Sequence, residues 1–286
     1  MVDASEYNKK CDCDWCPGCG NFSVMVALKN SLARLGIKPH ESVLVSGIGC
    51  SSKTPHWMNM YGFHGIHGRA LPIATGVKLA NSELTVVAAG GDGDGYGIGL
   101  NHFMQSCKRN INLTYIVHNN RIYGLTTGQA SPTTNKGTIT RSTPFGNPEE
   151  PINPLLIAIS SGATFVARGF SGNLAQLQEL VKEAIAHKGF AFIDVLMPCV
   201  TFNRMNSIEW YRERVSPINS DHDFSDKEKA LSLALKWNGE DGEIPTGIFY
   251  KIDNPTYSDG LPQLSSGALV KKKLDADVSD VLKEFM

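Results

Sequence analysis

The residues with the clearest chemical potential lie between positions 90 and 120. The sequence GGDGD follows one short apolar run, and the pair Asn119 and Asn120 follows another. Asp92 and Asp94 would repel a phosphate directly, but they could hold a divalent cation that binds it, because Mg²⁺ commonly combines one or two carboxylates with phosphate oxygens. Asn120 offers a neutral amide oxygen to the same cation. The pattern therefore predicts a site for a diphosphate and a metal ion.

The glycines of this stretch favour the same interpretation. They occupy every second position from 91 to 99, where backbone amides can approach an anion closely. A helix predicted over residues 97–109 would point its positive N-terminal end at that anion. This spacing excludes the GxGxxG pattern of dinucleotide-binding folds. A near match to a P-loop occurs at residues 47–54, where Ser52 replaces the last glycine, so a nucleotide hydrolase using Lys53 is a rival hypothesis.

Cysteines form the second group of candidate ligands. Seven are present, and four of them lie between Cys11 and Cys19. Such a concentration would be odd as disulfides in a reducing compartment and favours metal or cluster ligation. The CPGC sequence places Cys16 and Cys19 on one tight loop. Cys50 and Cys199 each follow a predicted strand, so a single site built from these four cysteines is geometrically reasonable.

This reasoning leaves two possible occupants of a four-thiolate site. Zinc would be structural, whereas an iron–sulfur cluster could exchange electrons with a cofactor at the neighbouring phosphate site. Cys13 also begins a C-x₂-C-x₂-C spacing of ferredoxin type, although the expected fourth cysteine is missing. Cys107 is predicted to be a buried hydrophobic residue within a helix. Cys11 and Cys13 are expected on a mobile arm outside the site.

The predicted elements alternate between strands and helices. Strands are predicted at residues 42–46, 84–89, 112–117, 164–167 and 191–196, and helices at 22–35, 70–80, 97–109, 155–161 and 173–188. This alternation predicts an α/β fold with a doubly wound parallel sheet, whose strand ends bring Asp92 and Asn120 to one edge. We expect residues 1–200 to form the binding domain. Residues 201–286 are expected to form an irregular C-terminal extension that packs on the core or on a partner subunit.

The composition limits the classes of function. The chain has 286 residues, of which 42% are hydrophobic and 19% charged, as in ordinary globular proteins. Its net charge of −1 gives no support for a nucleic-acid partner. A positively charged leader is not apparent, and no apolar run is long enough to span a membrane. We therefore expect a cytoplasmic protein without a membrane partner.

Taken together, these motifs resemble the β subunit of 2-oxoacid:ferredoxin oxidoreductases of the two-subunit type, which binds thiamine diphosphate. The resemblance runs from about Trp15 to at least Tyr211. The matching segments are WCPGCGNF at 15–22, SGIGCSSK at 46–53, HGRA at 67–70, GGDGD at 90–94, HNNRIYGLTTGQ at 118–129, SGATFVARG at 161–169 and HKGFAFIDVLMPC at 187–199.

This resemblance implies a thiamine-diphosphate-binding fold and a set of cofactor ligands. It implies a [4Fe–4S] cluster on Cys16, Cys19, Cys50 and Cys199, and Mg²⁺ held by Asp92, Asn120 and the backbone carbonyl of Ile122. Thiamine diphosphate is expected to contact Ile48, Gly49, Cys50, Ser51, His67, Gly93, Asp94, Gly124 and Leu125. His67 is expected to hydrogen-bond the diphosphate, and Lys53 to attract the substrate carboxylate.

The implied reaction is the oxidative decarboxylation of a 2-oxoacid, or the reverse reductive carboxylation. The acyl group would pass to coenzyme A, and electrons would pass through the cluster to ferredoxin. Among substrates, 2-oxoglutarate is favoured, with pyruvate close behind. An α subunit, in a complex of two α and two β chains, is expected to supply the glutamate that activates the cofactor. Thr127 stands where some relatives have a basic residue that could assist coenzyme A. A non-catalytic iron–sulfur electron-transfer subunit is the alternative.

Overall fold

A computed structural model describes residues 2–237, 242–265, 267–272 and 277–286. The strands in these ranges are β1 (Ser42–Ser46), β2 (Tyr61–His64), β3 (Thr85–Gly91), β4 (Leu113–Asn119), β5 (Phe165–Phe170), β6 (Phe190–Leu196), β7 (Val215–Pro217) and β8 (Ile244–Lys251). They form one sheet in the order β2-β1-β3-β4-β6-β5-β8-β7. The helices are α1 (Asn21–Arg34), α2 (Thr54–Trp57), α3 (Ala70–Ala80), α4 (Leu100–Arg109), α5 (Pro154–Ser160), α6 (Leu174–Ala186), α7 (Ile208–Arg212), α8 (Lys227–Leu235) and α9 (Ser279–Lys283).

Six strands, from β2 at one edge to β5, pair in parallel. β8 then pairs antiparallel with β5, and β7 pairs parallel with β8. The predicted doubly wound α/β sheet is therefore confirmed. The chain after residue 200 packs on this core and adds two strands to the same sheet, although the sequence pattern predicts no strand there.

Helices cover both faces of the sheet. Alternate residues of each strand point to opposite faces, so each strand contributes side chains to both. From β3, Val86 packs on one side and Val87 on the other. The first side also buries Phe103 of α4, and the second buries Leu28 of α1. Each fully buried side chain of this size contributes about 1.5–3 kcal/mol of hydrophobic stabilisation. The two cores hold the strand ends rigidly in register.

The helix predicted over residues 97–109 begins later than expected. A π-helical segment, Gly93–Ile98, comes first, and α4 begins only at Leu100. Gly97, inside the π-helical segment, has non-helical backbone angles of φ −84° and ψ −110°. The strand before them is longer than predicted, since Gly90 and Gly91 continue β3 and do not end it. The chain turns directly at Asp92.

The carboxyl ends of four adjacent strands meet at one edge. Ser46 of β1 pairs with Ala89 of β3, Gly91 of β3 with His118 of β4, and Asn119 of β4 with Leu196 of β6, in three parallel registers. The loops after these strands carry Gly47 to Cys50, Asp92, Asn120 and Cys199. This edge is where open α/β sheets bind ligands. None of the helices in the described ranges is both long and apolar enough to cross a membrane.

Candidate functional site

A cavity of about 430 Å³ lies at this edge of the sheet. The loops after β1, β3 and β4 supply most of its wall. All the residues expected to contact thiamine diphosphate or Mg²⁺ line it, namely Ile48, Gly49, Cys50, Ser51, His67, Asp92, Gly93, Asp94, Asn120, Ile122, Gly124 and Leu125. The structure therefore brings together in one cavity residues that are up to 77 positions apart in the chain, from Ile48 to Leu125.

Asp94 ties two loops of this cavity together. Its Oδ1 accepts hydrogen bonds of 2.8 Å from the backbone amides of Ile48 and Gly68. His67 Nδ1 lies 3.1 Å from the same oxygen, in ion-pair range but without hydrogen-bond geometry. Burial raises the pKa of Asp94, while the two amides and His67 oppose that rise. A side chain at Gly47 would meet the carboxylate at 2.1 Å, so glycine is required there.

Asp92 is 2% exposed and faces two hydroxyl groups that the sequence patterns do not indicate. Ser131 Oγ and Thr133 Oγ1 lie 2.5 and 2.6 Å from Asp92 Oδ2. Burial raises the pKa of Asp92 to about 6, and these hydrogen bonds oppose the rise. A carboxylate this buried is stabilised further by a cation, because charge burial is costly without a partner. Both hydroxyls come from the Thr- and Pro-rich loop after β4, and only that composition could have suggested them.

The two asparagines after β4 take different positions. Asn120 lines the cavity, and its Oδ1 accepts from the amide of Ile122 at 3.1 Å. Asn119 is buried behind it, with Nδ2 donating to Asp194 Oδ1 at 3.0 Å. Arg121, at φ +60°, turns the chain immediately afterwards. Asn120 and not Asn119 is therefore placed to offer an oxygen to a cation near Asp92.

Unpaired buried donors also point to an anionic ligand. Asn21 Nδ2 and Ser51 Oγ line the cavity and have no hydrogen-bond partner among the described residues. Asn21 Oδ1 accepts from His118 Nδ1 at 2.8 Å, which leaves the amide nitrogen free. Burial lowers the pKa of His118 to about 3, so its ring is neutral near pH 7. Since buried donors are normally satisfied, these two fit a ligand rich in oxygen acceptors, as a diphosphate is. The sequence patterns alone do not mark Asn21 or His118 as site residues.

The four expected cysteine ligands line a neighbouring cavity of about 240 Å³, which we call the cysteine cavity. It shares Cys50, Asn120, Gly124 and Leu125 with the first cavity. A Cβ at Gly124 would lie 3.5 Å from Cys199 Sγ and 3.9 Å from Cys50 Sγ. In the described ranges, no three His, Cys, Asp or Glu side chains are grouped around a single metal ion. The thiols border a shared space instead of converging on one point.

Burial affects the protonation of these thiols. It raises the pKa of Cys19 to about 12, and the neighbouring cysteines add to the rise. Burial and Cys199 likewise raise the pKa of Cys50. Such thiols ligate as thiolates only when a cationic centre compensates their charge. All seven cysteines are free, and the donor set therefore fits a metal cluster.

Two contacts fix the cysteine loops. Trp15 Nε1 donates to the carbonyl oxygen of Cys50 at 2.7 Å, and Thr201 Oγ1 donates to Cys16 Sγ at 3.2 Å. The structure keeps Cys11 and Cys13 out of the cavity lining, and it buries Cys107 in α4 as predicted. The sequence shows Trp15 only as part of a motif, because its role depends on a contact 35 residues away.

Lys53 and His67, the two expected catalytic residues, lie in different places. His67 lines the larger cavity, whereas Lys53 lines the cysteine cavity and pairs with Asp14 Oδ2 at 2.6 Å. The P-loop hypothesis for residues 47–54 requires a long helix after the loop. Helix α2 has four residues and ends at Trp57, so the structure does not support nucleotide hydrolysis there.

Comparison with known proteins identifies related folds. Residues 47–195 match the family model of the thiamine pyrophosphate enzyme C-terminal TPP-binding domain, and residues 199–266 match that of the C-terminal part of the pyruvate ferredoxin oxidoreductase β chain. The chain is 46% identical to 2-oxoacid:ferredoxin oxidoreductase 1, subunit β, of Aeropyrum pernix, over 91% of this chain and 84% of that one. It is 44% identical to the corresponding β subunit of Saccharolobus solfataricus, over 95% of this chain and 96% of that one.

A solved structure is similar over the whole length of the chain. It is the 2-oxoglutarate:ferredoxin oxidoreductase of Magnetococcus marinus with 2-oxoglutarate, coenzyme A and succinyl-CoA bound. The match has a TM-score of 0.92 at 39% identity and covers 100% of this chain and 96% of the other.

Proposed function

This chain belongs to the β subunits of 2-oxoacid:ferredoxin oxidoreductases, and on that premise we propose that it carries thiamine diphosphate with Mg²⁺ beside a [4Fe–4S] cluster. With an α subunit, it catalyses the oxidative decarboxylation of 2-oxoglutarate to succinyl-CoA and CO₂. The cluster, when bound, would supply a one-electron route from this reaction to ferredoxin. One observation carries this proposal. The larger cavity, which we call the thiamine cavity, and the cysteine cavity share Cys50, Asn120, Gly124 and Leu125.

Different residues of the larger cavity bind Mg²⁺ and the diphosphate in this proposal. Asp92, Asn120 and the backbone carbonyl of Ile122 hold Mg²⁺, and the unpaired donors Asn21 Nδ2 and Ser51 Oγ serve the diphosphate. With a pKa of about 6, Asp92 is ionised near pH 7, as a Mg²⁺ ligand must be. The expected contacts of Ile48, Gly49, Gly93, Asp94, Gly124 and Leu125 are supported by their common place in the lining.

The cluster is assigned to Cys16, Cys19, Cys50 and Cys199. Their thiols border a space larger than a single ion needs, which favours a cluster over zinc. When bound, thiamine diphosphate supplies the electron-accepting ring for decarboxylation, and the cluster supplies a one-electron carrier. This chain holds the two groups at adjacent cavities, and short donor–acceptor separation is what electron transfer requires.

His67 and Lys53 have supporting roles in this scheme. His67 hydrogen-bonds the diphosphate, and Asp94 keeps its ring against the cavity. Lys53 is held by Asp14 near the cysteines and attracts the carboxylate of the entering 2-oxoacid. Ile48 and Leu125, 37% and 44% exposed, lie at the open side of the cavity. At that side the cofactor is covered by the α subunit, which completes the site.

We favour 2-oxoglutarate as the substrate, because the similar solved structure holds 2-oxoglutarate and succinyl-CoA. Pyruvate is the competing substrate. The proposal is tested by coexpressing this chain with its α subunit. The anaerobic complex is assayed with thiamine diphosphate, Mg²⁺, coenzyme A and a low-potential dye, against a panel of 2-oxoacids. Dye reduction fastest with 2-oxoglutarate supports the proposal. No reduction with any 2-oxoacid contradicts the activity, and reduction fastest with pyruvate contradicts only the substrate.

A further inference from the structure

The thiamine cavity and the cysteine cavity are bordered by the same loops. Cys50, an expected cluster ligand, is followed directly by Ser51, whose buried Oγ has no hydrogen-bond partner among the described residues. Cys19, another expected ligand, is followed two residues later by Asn21, whose buried Nδ2 is unpaired in the same sense. Ser51 and Asn21 both line the thiamine cavity. Both donors that fit the diphosphate therefore lie on loops that hold cysteines of the cluster site.

Asn21 serves the two sites through different atoms. Its Oδ1 accepts from His118 Nδ1 at 2.8 Å, which leaves Nδ2 for another acceptor in the thiamine cavity. Burial raises the pKa of the Cys19 thiol to about 12, and the backbone amide of Asn21 opposes that rise. Because a donor of this kind stabilises the thiolate form, the residue that fits the diphosphate also supports a cluster ligand.

A third link joins the loops that follow β4 and β6. Asn203 Nδ2 donates to the backbone carbonyl of Asn120 at 3.0 Å. The backbone amide of Asn203 donates to the carbonyl of Cys199 at 3.1 Å. Asn120 is an expected Mg²⁺ ligand, and Cys199 is an expected cluster ligand. One residue therefore ties a loop of the metal site to a loop of the cluster site.

The side chain of Asn203 is itself held in one orientation. Its Oδ1 accepts from the amide of Asn206 at 3.1 Å, and its Nδ2 also donates to Asn206 Oδ1 at 3.1 Å. An amide whose oxygen faces a donor and whose nitrogen faces acceptors cannot be reversed without losing these bonds. Removing this side chain would take away the only printed donor to the Asn120 carbonyl and release the two loops from each other.

These shared loops give the two sites a physical reason to influence each other. A diphosphate or a cation that orders them also orders part of the cluster site, and a cluster that orders the cysteines also orders the donors of the thiamine cavity. Such a coupling of binding free energies is reciprocal by thermodynamic linkage.

We propose that the thiamine diphosphate and cluster sites are coupled through these links, with Asn203 as the positioning residue, so that each cofactor strengthens binding of the other. This proposal rests on the proposed function, since it concerns the two cofactors of that reaction.

The test uses the complete anaerobic complex of α and β subunits with its cluster loaded. Loss of iron to a chelator is timed with and without saturating thiamine diphosphate and Mg²⁺. In wild type, thiamine diphosphate and Mg²⁺ should slow iron loss about tenfold, a usual size for coupling between two sites. In Asn203→Ala this factor should fall to about twofold or less, because the side chain that ties the Asn120 loop to the Cys199 loop is gone.

Asn153→Ala is the matched control. Asn153 is 9% exposed, against 8% for Asn203, and its Nδ2 also donates to a backbone carbonyl, that of Ala234 at 2.8 Å. Its side chain lines neither cavity. This variant should keep the wild-type factor, whereas Asn203→Asp, which retains the acceptor for the Asn206 amide but cannot donate, should lose it. A merely structural defect would change iron loss equally with and without thiamine diphosphate and Mg²⁺.

Calorimetry supplies the reciprocal readout. Removing the cluster from the wild-type complex should raise the Kd for thiamine diphosphate, at saturating Mg²⁺, about tenfold. In Asn203→Ala the Kd should change by no more than about twofold on cluster removal.

Equal rates of iron loss with and without thiamine diphosphate and Mg²⁺ in wild type overturn the proposal. So does a wild-type factor in both Asn203→Ala and Asn203→Asp. Failure of the proposed function gives a different result, in which the wild-type complex binds no thiamine diphosphate or holds no [4Fe–4S] cluster. If both cofactors bind without affecting each other, the proposed function stands and the coupling alone is wrong.

Discussion

The indole Nε1 of Trp15 donates a 2.7 Å hydrogen bond to the backbone carbonyl of Cys50. This contact joins the CPGC loop to the loop after β1 and so fixes two parts of the cysteine site relative to each other. Trp15 is 7% exposed and packs edge-on against Phe22 and Trp57. Its ring therefore belongs to the core, while its nitrogen positions the loop that carries Cys50.

Replacing Trp15 with Phe keeps an aromatic ring but removes this donor. We expect the free energy of unfolding to fall by about 1 kcal/mol, the net value of one such hydrogen bond. Iron should also be lost faster from the anaerobically reconstituted protein on exposure to chelator. The control is Trp57→Phe, because Trp57 Nε1 is buried without a partner among the described residues. Equal iron loss in both variants would contradict the positioning role of Trp15.

Ser131 and Thr133 are predicted to set the affinity for Mg²⁺ through Asp92. Ser131→Ala or Thr133→Val removes a hydrogen bond that favours the carboxylate, so more of Asp92 is protonated near pH 7. The apparent Kd for Mg²⁺, measured from Mg²⁺-dependent thiamine diphosphate binding, should increase about tenfold. Thr114→Val is a suitable control, because Thr114 Oγ1 donates to the carbonyl of Ala184 and not to Asp92. A larger rise of this Kd in the control variant would contradict the role of Ser131 and Thr133 in Mg²⁺ binding.

Gly124 is predicted to be necessary for cofactor loading and not for folding. A Cβ at this position makes contacts of 3.5 Å or longer, which the polypeptide tolerates, but it enters the space between Cys199 and Cys50. Gly124→Ala should keep the wild-type melting temperature of the cofactor-free chain within a few degrees and bind much less iron. Gly76→Ala, in α3 with open space around the new methyl group, should load normally. It should also gain up to about 1 kcal/mol of stability. Full iron content in Gly124→Ala would count against a cluster in this cavity.

His187 is predicted to make the fold sensitive to acid. Its Nε2 lies 2.7 Å from Thr164 Oγ1, and burial together with Lys251 lowers its pKa below the usual 6.5. At pH values between these two pKa values, the unfolded chain binds more protons than the folded chain. Stability therefore falls as the pH drops below 6.5 and is fully present above it.

Denaturant unfolding at pH 7 and pH 5 tests this point. His187→Asn should lose less free energy of unfolding between the two pH values than wild type, whereas His40→Asn, at an exposed position, should behave as wild type. Identical losses in wild type and His187→Asn would show that this imidazole is not responsible.

Much of the candidate site could be predicted, because the rules that place it are local. Asp92, Asn120 and Cys199 follow buried strands, and parallel strand ends fall at one edge. Ser131 and Thr133 belong to a long loop without periodicity, so their contact with Asp92 depends on tertiary folding. The unpaired donor of Asn21 likewise emerges only when α1 packs beside β4.

The sheet is less predictable near its C-terminal end. β8 contains Pro245 and Gly247, two residue types that are depleted in strands. Its pairing with β5 includes a register shift between Val166 and Ala167, and Gly247 has φ +140°. A strand of this kind is stabilised by its tertiary position next to β5 and not by its own pattern, which explains why the sequence of residues 201–286 predicts an irregular extension.

The proposed function requires this chain to place a redox cluster beside the cofactor that oxidises a 2-oxoacid. Freeze-quenched EPR of the anaerobic complex with the α subunit tests it most directly. Adding 2-oxoglutarate to complex loaded with thiamine diphosphate and Mg²⁺ should produce the signal of a reduced [4Fe–4S] cluster within one turnover. The signal should be absent in Asp92→Asn and Cys199→Ser and present in Cys13→Ser, since Cys13 lies outside the cysteine cavity. A complex that holds iron and thiamine diphosphate but shows no cluster reduction by any 2-oxoacid would contradict the account.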